Sequence, residues 1–345
     1  MKNILIIHHN DNDGVLSCAI IKRYFMSLYN DAVIDTIGTD YRSTFEEITK
    51  PYKSKNNYYL IAIVDVSVTS EENYNWMIDR VIDTGLLYID HHKSTIDFIQ
   101  EGHPMDLITG FRVTGLSASM LCWAWTTYDI LIDTIYKHYK LKLFNNRILE
   151  RNDNPNPMDR SIVEDLWNSY DNLMIPTFLK YVDAYDIWDT NTSLGYDSVL
   201  DFAENDLTVE QCEEMYKYSS TLIDDNKTKS DCIFESLLEK GKIIRDYKKS
   251  YNEMLCRQFG YEDTYIDQSG KKYSVFILNL PIAGSTAFGD RINKYDICCA
   301  WYFNGKNYTH SFYSVKVDCS VLCKELGGGG HPGAAGFVWP KPIFE

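Results

Sequence analysis

The sequence predicts an α/β protein with an N-terminal parallel sheet and a smaller α/β domain at its C-terminal end. Three observations carry that expectation. From residue 1 to about 92, short apolar runs of strand length alternate with longer helical stretches. Strand-like runs return only after residue 272, beyond a long helical region. Hydrophobic residues make up 45% of the chain and charged ones 24%, so a core is available, and disordered, collagenous and fibrous classes are excluded.

In chain order, the runs Ile4–Ile7, Ala32–Ile37, Tyr58–Val64 and Leu86–Ile89 are read as strands, and 14–29, 44–52 and 69–84 as helices. Such β-α-β units build an open parallel sheet, whose ligands gather at the carboxyl ends of the strands. Thr69-Ser-Glu-Glu72 offers a capping box ahead of an apolar face of Trp76, Val81 and Ile82. The chain is then mostly helical from Leu116 to about Trp188, with a loop expected at Asn152-Asp-Asn-Pro-Asn-Pro157. From Ser198 to Phe259 it is polar and helical. The basic residues Lys240, Lys242, Arg245, Lys248 and Lys249 there read as a solvated helix face in preference to a substrate contact. Strands follow at Tyr273–Leu280, Ile297–Phe303 and His310–Val317, then a helix at Ser320–Leu326. The expected division is 1–195, a helical connector 196–260, and 261–345.

With 34 Lys plus Arg against 49 Asp plus Glu, the formal charge is −15. That balance is poor for coating long nucleic acid, so a phosphate-bearing substrate must be held locally, and no long duplex is expected as partner. The apolar run Ile4–Ile7 is broken by His8 and His9, so it is neither a signal-peptide core nor a membrane span. A cytoplasmic location without a membrane partner is expected. Nine cysteines without a C-x-x-C read as reduced thiols, and their spacing does not ask for zinc.

His9-Asn-Asp11-Asn-Asp13-Gly14 follows the first strand directly and opens the first helix. Three potential ligands at alternate positions on a strand-end loop can converge on a metal, with Gly14 permitting tight entry to the helix. Taken alone, the cluster reads more simply as an Asn- and Asp-rich turn with N-cap residues. However, Asp65 follows the third strand and Asp90-His91-His92 the fourth, so three such clusters fall at strand ends of one sheet. Carboxylates with a minority of imidazoles suit Mn²⁺ or Mg²⁺ better than zinc, and two such ions form the usual clamp for phosphoester displacement. Asp183 and Asp186, three apart, share one helix face and either could complete a metal shell. The alternative there is an amphipathic helix with Val182, Tyr185 and Trp188 buried and both acids solvated, and the residues alone do not choose. Finally, Gly327-Gly328-Gly329-Gly330-His331 runs into Pro-Gly-Ala-Ala-Gly-Phe337, unlike a flexible linker. Glycine here serves close approach. Bare backbone N–H groups can form an anion nest, to which His331 adds a donor.

Together these motifs resemble the DHH phosphoesterase superfamily, over nearly the whole chain. Asp90-His91-His92 matches its namesake triplet, and GGGGH-x-x-AAGF its DHH-associated C-terminal domain. The His9-x-Asp11-x-Asp13-Gly14 form is most similar to the RecJ and nano-RNase branches. The resemblance implies a DHH domain followed by a DHH-associated domain, with the active site in the cleft between them. It implies two Mn²⁺ ions, Mg²⁺ and Co²⁺ being alternatives, held by His9, Asp11, Asp13, Asp65 and His91, with Asp65 bridging. Asp183 would be the further ligand, with Asp186 the fallback. Asp90 would orient a histidine, and His92 would face the scissile phosphate. Gly327 to Gly330 and His331 would hold the substrate end away from the metals.

One departure stands out. Many members carry Ser-Leu-Arg-Ser before the glycine run, whereas Ser311-Phe-Tyr313-Ser314 puts Tyr313 at the arginine position. A guanidinium contact to phosphate is absent or replaced there, and the tyrosine could instead stack on a base. The leading reading is a manganese-dependent phosphodiesterase that cuts short oligonucleotides or cyclic dinucleotides to mononucleotides by in-line attack of an activated water. The alternatives are a phosphomonoesterase acting on 3′-phosphoadenosine 5′-phosphate or a related nucleotide, and a non-catalytic nucleotide-binding protein on the same fold. A homodimer is compatible with the sequence.

Overall fold

The computed structural model describes residues 2–40, 43–52, 58–105, 108–127, 175–217, 222–224, 227–280 and 284–344. The loop expected at 152–157 lies outside them. Strands β1 (Lys2–His9), β2 (Ala32–Thr39), β3 (Leu60–Val64) and β4 (Gly85–Ile89) form a sheet in the order β2-β1-β3-β4. All its pairings are parallel. The chain leaves β1 for β2 on one side and resumes at β3 on the other, so the order reverses between β1 and β3. Open sheets form their ligand crevice at the carboxyl side of such a reversal. Beyond β4, residues 109–112 add parallel bridges, Leu87 to Thr109 and Asp90 to Arg112.

The strands read as unbroken apolar runs because both faces of the sheet are covered. Alternation sends Ile4, Ile6, Ala62, Val64, Leu87 and Ile89 into one core, with Val15, Leu16 and Ile20 of helix α1 (Asn12–Leu28). Leu5, Ile7, Ile61, Ile63, Leu86 and Tyr88 point the other way, against Phe45, Trp76, Met77 and Phe98. These come from α2 (Phe45–Thr49), α3 (Glu71–Asp83) and α4 (Lys93–Gln100).

The capping box forms at α2, between Thr44 and Glu47, and not at Thr69 and Glu72. Helix α3 is capped by Ser70, whose hydroxyl accepts from Asn73 N–H at 3.3 Å. That register places Asn73 where the glutamate would be needed, and its Oδ1 instead accepts the Phe45 N–H at 2.9 Å.

The chain divides into two compact units, Met1–Lys242 and Ile243–Glu345. Residues 196–242, expected in a connector, belong with the first. Val199, Phe202, Cys212, Met215, Phe234 and Leu237 join the core that contains Ile4 and Ile6. The helix Lys229–Phe259 runs through the boundary. A two-stranded ribbon, β5 (Leu222–Asp224) and β6 (Lys227–Thr228), precedes it.

The second unit is built on a six-stranded sheet in the order β11-β12-β10-β9-β8-β7. Its strands are β7 (Tyr261–Ile266), β8 (Lys272–Asn279), β9 (Ile297–Phe303), β10 (Tyr308–Tyr313), β11 (Gly329–His331) and β12 (Ala334–Trp339). Only β8 and β9 pair in parallel. Strand β10 stops at Tyr313, short of the expected Val317. Ser314 Oγ accepts from the N–H groups of Lys316 and Val317, both at 2.9 Å, and turns the chain. The helix Cys319–Glu325 packs Cys319, Leu322 and Cys323 into this unit's core. All nine cysteines are unpaired, and eight are buried. Among the described residues, no helix is long and apolar enough to cross a membrane.

Gly241 has a packing reason to lack a side chain. A Cβ there would lie 1.7 Å from the Asp201 carbonyl oxygen. Gly241→Ala is therefore expected to lower unfolding free energy by about 1–3 kcal/mol in denaturant titration, although alanine is the better helix former.

His103 stacks on Phe98, with ring centroids 3.7 Å apart, and its Nε2 meets Glu71 Oε1 at 2.6 Å. That hydrogen bond to Glu71 raises its pKa above the ordinary 6.5. A raised folded-state value stabilises fully below the unfolded pKa and is lost as pH rises through the folded one. The difference in thermal midpoint between wild type and His103→Phe should therefore be larger at pH 5.5 than at pH 9.

Candidate metal centre

At the end of β1 the loop divides its side chains by position. Asp11 caps α1, its Oδ1 accepting from Gly14 N–H at 2.9 Å, while its Oδ2 lies 2.8 Å from His9 Nδ1. Gly14 lets the helix start against the strand end, since a Cβ there would sit 2.3 Å from the His9 carbonyl oxygen. The even residues face the scaffold. Asn10 fills the space left by Gly38, where a Cβ would meet Asn10 Oδ1 at 1.8 Å. Asn12 accepts from Leu207 N–H at 3.0 Å and donates to the Asn205 carbonyl at 2.8 Å. Asp13 is buried and accepts from the N–H groups of Ala118 and Ser119 at 2.7 and 2.9 Å. These are the first amides of the helical stretch 118–127, where a carboxylate is favoured.

After β3, Asp65 takes a positive φ of 57° and is 1% exposed. Its two oxygens and Asp186 Oδ2 are buried, with no hydrogen-bond partner among the described residues. His91 Nε2 stands 3.4 Å from Asp65 Oδ1, 3.2 Å from Asp186 Oδ2 and 3.9 Å from Asp13 Oδ2. Beside it, Asp90 Oδ1 holds His92 Nδ1 at 2.7 Å. Asp90 Oδ2 lies 3.1 Å from the hydroxyl of buried Tyr88, which also reaches the Val66 carbonyl at 2.9 Å.

Burial, and then the charges of Asp13, Asp11, Asp186 and Asp90, push Asp65 well above the usual carboxylate range. Burial followed by Asp13 and Asp11 does the same to Asp186. Asp11 and Asp90 go the other way, each to about 2. Burial opposes that shift in both, and His9 for the first and His92 for the second outweigh it. His92 is correspondingly raised, Asp90 overcoming the effect of burial.

Three overlapping ligand groups result: Asp65, His91 and His92; His9, Asp11 and Asp65; Asp13, His91 and Asp186, each with its donor atoms within 4.8 Å of one another. Asp65 belongs to two of them. Buried carboxylate oxygens lacking donors, crowded by like charges, are what a divalent cation satisfies, and the oxygen-rich set with imidazoles suits Mn²⁺ or Mg²⁺.

The structure thus gathers His9, Asp11, Asp13, Asp65, His91, His92 and Asp186, with Asp90 behind His92. Asp183 is not in these groups. Its Oδ1 accepts the Ser117 N–H at 2.7 Å, so the fallback Asp186 is the acid that reaches the cluster. Val182 is buried as the amphipathic alternative required, but Tyr185 and Trp188 are 44% and 40% exposed.

In the second unit the glycine run differs from the expected open nest. Gly327, at φ 76°, ends the preceding helix, and the N–H groups of Gly327 and Gly328 bond to the carbonyls of Lys324 and Cys323. Gly329 to His331 pair with β12. A Cβ on Gly328 or Gly330 would lie 2.1 Å from the Gly336 oxygen or 2.6 Å from Ala335 Cα, so these glycines do serve close approach. His331 is exposed, and Tyr313 is half-buried with its ring 5.8 Å from Phe288.

The sequence reading missed Asn12, Tyr88 and the Ser117-Ala-Ser119 segment. Only the last carried a signal, hydroxyl residues immediately ahead of an apolar helical run.

No protein-family model and no curated protein matches the chain. Among solved structures, RecJ from Thermus thermophilus in complex with Mn²⁺ aligns at 14% identity and a TM-score of 0.51 over 98% of this chain. The chain shares its fold with that RecJ structure. It spans about half of that RecJ chain, 49%. A second RecJ exonuclease, bound to manganese, aligns at 14% identity over 98% of this chain and 86% of its own, with a TM-score of 0.49. An exopolyphosphatase-related protein from Bacteroides fragilis does so at 14%, over 99% and 88%, with 0.41. In this fold the triplet Asp90-His91-His92 lies where β4 ends.

Removing the central charge separates stability from metal binding. Asp65→Asn preserves shape and tolerates the left-handed backbone. Without metal it is expected to unfold at a higher temperature than wild type. Saturating Mn²⁺, about 100 times its dissociation constant, should stabilise the wild type by about 2.7 kcal/mol and leave the variant unchanged in calorimetry.

Proposed function

We propose that this protein is a metal-dependent phosphodiesterase, using Mn²⁺, that hydrolyses short oligonucleotides or cyclic dinucleotides to mononucleotides. The observation that carries the reading is Asp65, a buried carboxylate without donors, shared by two ligand groups at the sheet's topological switch point. Ions held by His9, Asp11, Asp13, Asp65, His91 and Asp186 would supply Lewis acidity and an activated water.

The chain's own residues then have separable tasks. Asp90 fixes His92 through Nδ1 and favours its protonated ring, in which Nε2 can donate to a phosphate oxygen. Asp183 anchors Ser117, and Asp13 holds the next two amides, so the acid-bearing elements are tied to one another. In the second unit, exposed His331 and half-buried Tyr313 are the proposed nucleotide contacts, with the Gly327 to Gly330 backbone shaping the approach. A net charge of −15 favours a small substrate over a long strand, because attraction for phosphate must come from the centre itself.

Product analysis tests this. Purified protein would be incubated with Mn²⁺ or chelator and a dinucleotide, longer RNA and DNA single strands, a cyclic dinucleotide and 3′-phosphoadenosine 5′-phosphate. Manganese-dependent release of mononucleotides from the short diesters is expected, and its loss in Asp65→Asn. Cleavage of the bisphosphate alone would replace the diesterase by a monoesterase, and no turnover of any compound would overturn the enzyme reading.

A further inference from the structure

Among the described residues, two that are not glycine take a positive φ: Asp65 and Trp188, both at 57°. The first is the centre of the acid cluster. The second lies two residues beyond Asp186, where the helix Thr177–Asp186 ends. Trp188 N–H bonds to the Tyr185 carbonyl at 3.2 Å and Asp189 N–H to that of Ala184 at 2.9 Å, closing the helix on a left-handed residue. Glycine is the residue suited to that position, and a bulky side chain there is strained. Such strain persists where it has a use, and it clusters at functional sites.

The side chain so held is not needed by the core. Phe178, Leu179, Tyr181, Val182 and Ala184 supply the helix's buried face, while Trp188 and Tyr185 are 40% and 44% exposed. Tyr185 immediately precedes Asp186, and Trp188 follows it by two residues. Two partly exposed aromatics therefore lie either side of Asp186 in the chain, the acid that reaches a centre suited to phosphoesters, in a protein whose overall charge repels its substrate.

We propose that Tyr185 and Trp188 form a stacking platform for the base of the nucleotide whose phosphoester is cleaved. The inference rests on the phosphodiesterase reading and narrows it, making the ligand class a phosphoester that bears a nucleobase. Stacking accepts any base, because each presents a π face, and contributes on the order of 10- to 100-fold in affinity per base. Affinity from stacking also needs no cationic side chain, which fits an acidic surface.

Binding and turnover test the platform separately. With Mn²⁺, wild type is expected to bind adenosine 5′-monophosphate at least tenfold more tightly than ribose 5-phosphate by calorimetry. Trp188→Gly, which suits the left-handed backbone, should keep a thermal midpoint at or above wild type and reduce that preference at least tenfold. Trp188→Phe should restore part of it, and Tyr185→Leu should reduce it with Trp188 intact. In turnover, preference for a dinucleotide over its abasic analogue should fall in parallel, through KM more than kcat. Equal affinity of wild type for the two monophosphates, or a preference unchanged in both Trp188→Gly and Tyr185→Leu, would overturn the platform. A protein that cleaves diesters but shows that result keeps its hydrolase reading. One that cleaves nothing but retains a Trp188-dependent preference loses it and keeps the platform.

Discussion

Asp65 is a carboxylate enclosed by carboxylates, and the architecture around it is an answer to that crowding. Asp11, Asp13, Asp90 and Asp186 all raise its proton affinity, as does its own burial. Taking such charges out of water costs several kcal/mol per ion unless each is matched. Some are matched by protein alone. Asp13 receives two amides at a helix start, and Asp90 holds His92. Asp65 receives no donor among the described residues, which leaves its charge to a bound proton or a cation.

Holding repelling groups together requires a frame that does not yield, and the sheet supplies it. Each strand of the first sheet is locked from both faces by separate cores, so the ends of β1, β3 and β4 cannot part without disturbing both. The left-handed backbone of Asp65 adds a smaller load, because aspartate is among the residues that tolerate that conformation. Fold stability is thus directed into keeping an unfavourable constellation in place, the usual relation between a scaffold and a site.

Much of this was legible in the sequence. Strands covered on both sides appear as unbroken apolar runs, and the acids and histidines that follow three of them are brought into one cluster. What could not be read depended on distant partners. Asp183 and Asp186 share a helix face, and the choice between them is made by the Ser117 amide, 66 residues away. The place of 196–242 was hidden because polar helices carry their few apolar residues, such as Val199 and Met215, to a core formed by the first strands. Strands β7 and β12 escaped notice for local reasons: the first is a polar edge and the second begins within a glycine-rich run. The glycines were read as an open loop, whereas closing the helix end and seating β11 on β12 already engages them.

The alternation from His9 to Asp13 makes this loop a matter of phase more than of composition. Odd positions carry the acid and imidazole groups of the centre, and even positions seat Asn10 at Gly38 and Asn12 on the backbone of 205–207. Any single-residue insertion or deletion within the pentapeptide would exchange the two sets, turning amides toward the centre and carboxylates toward the scaffold. A substitution in this loop therefore alters one contact, whereas a change in its length alters them all.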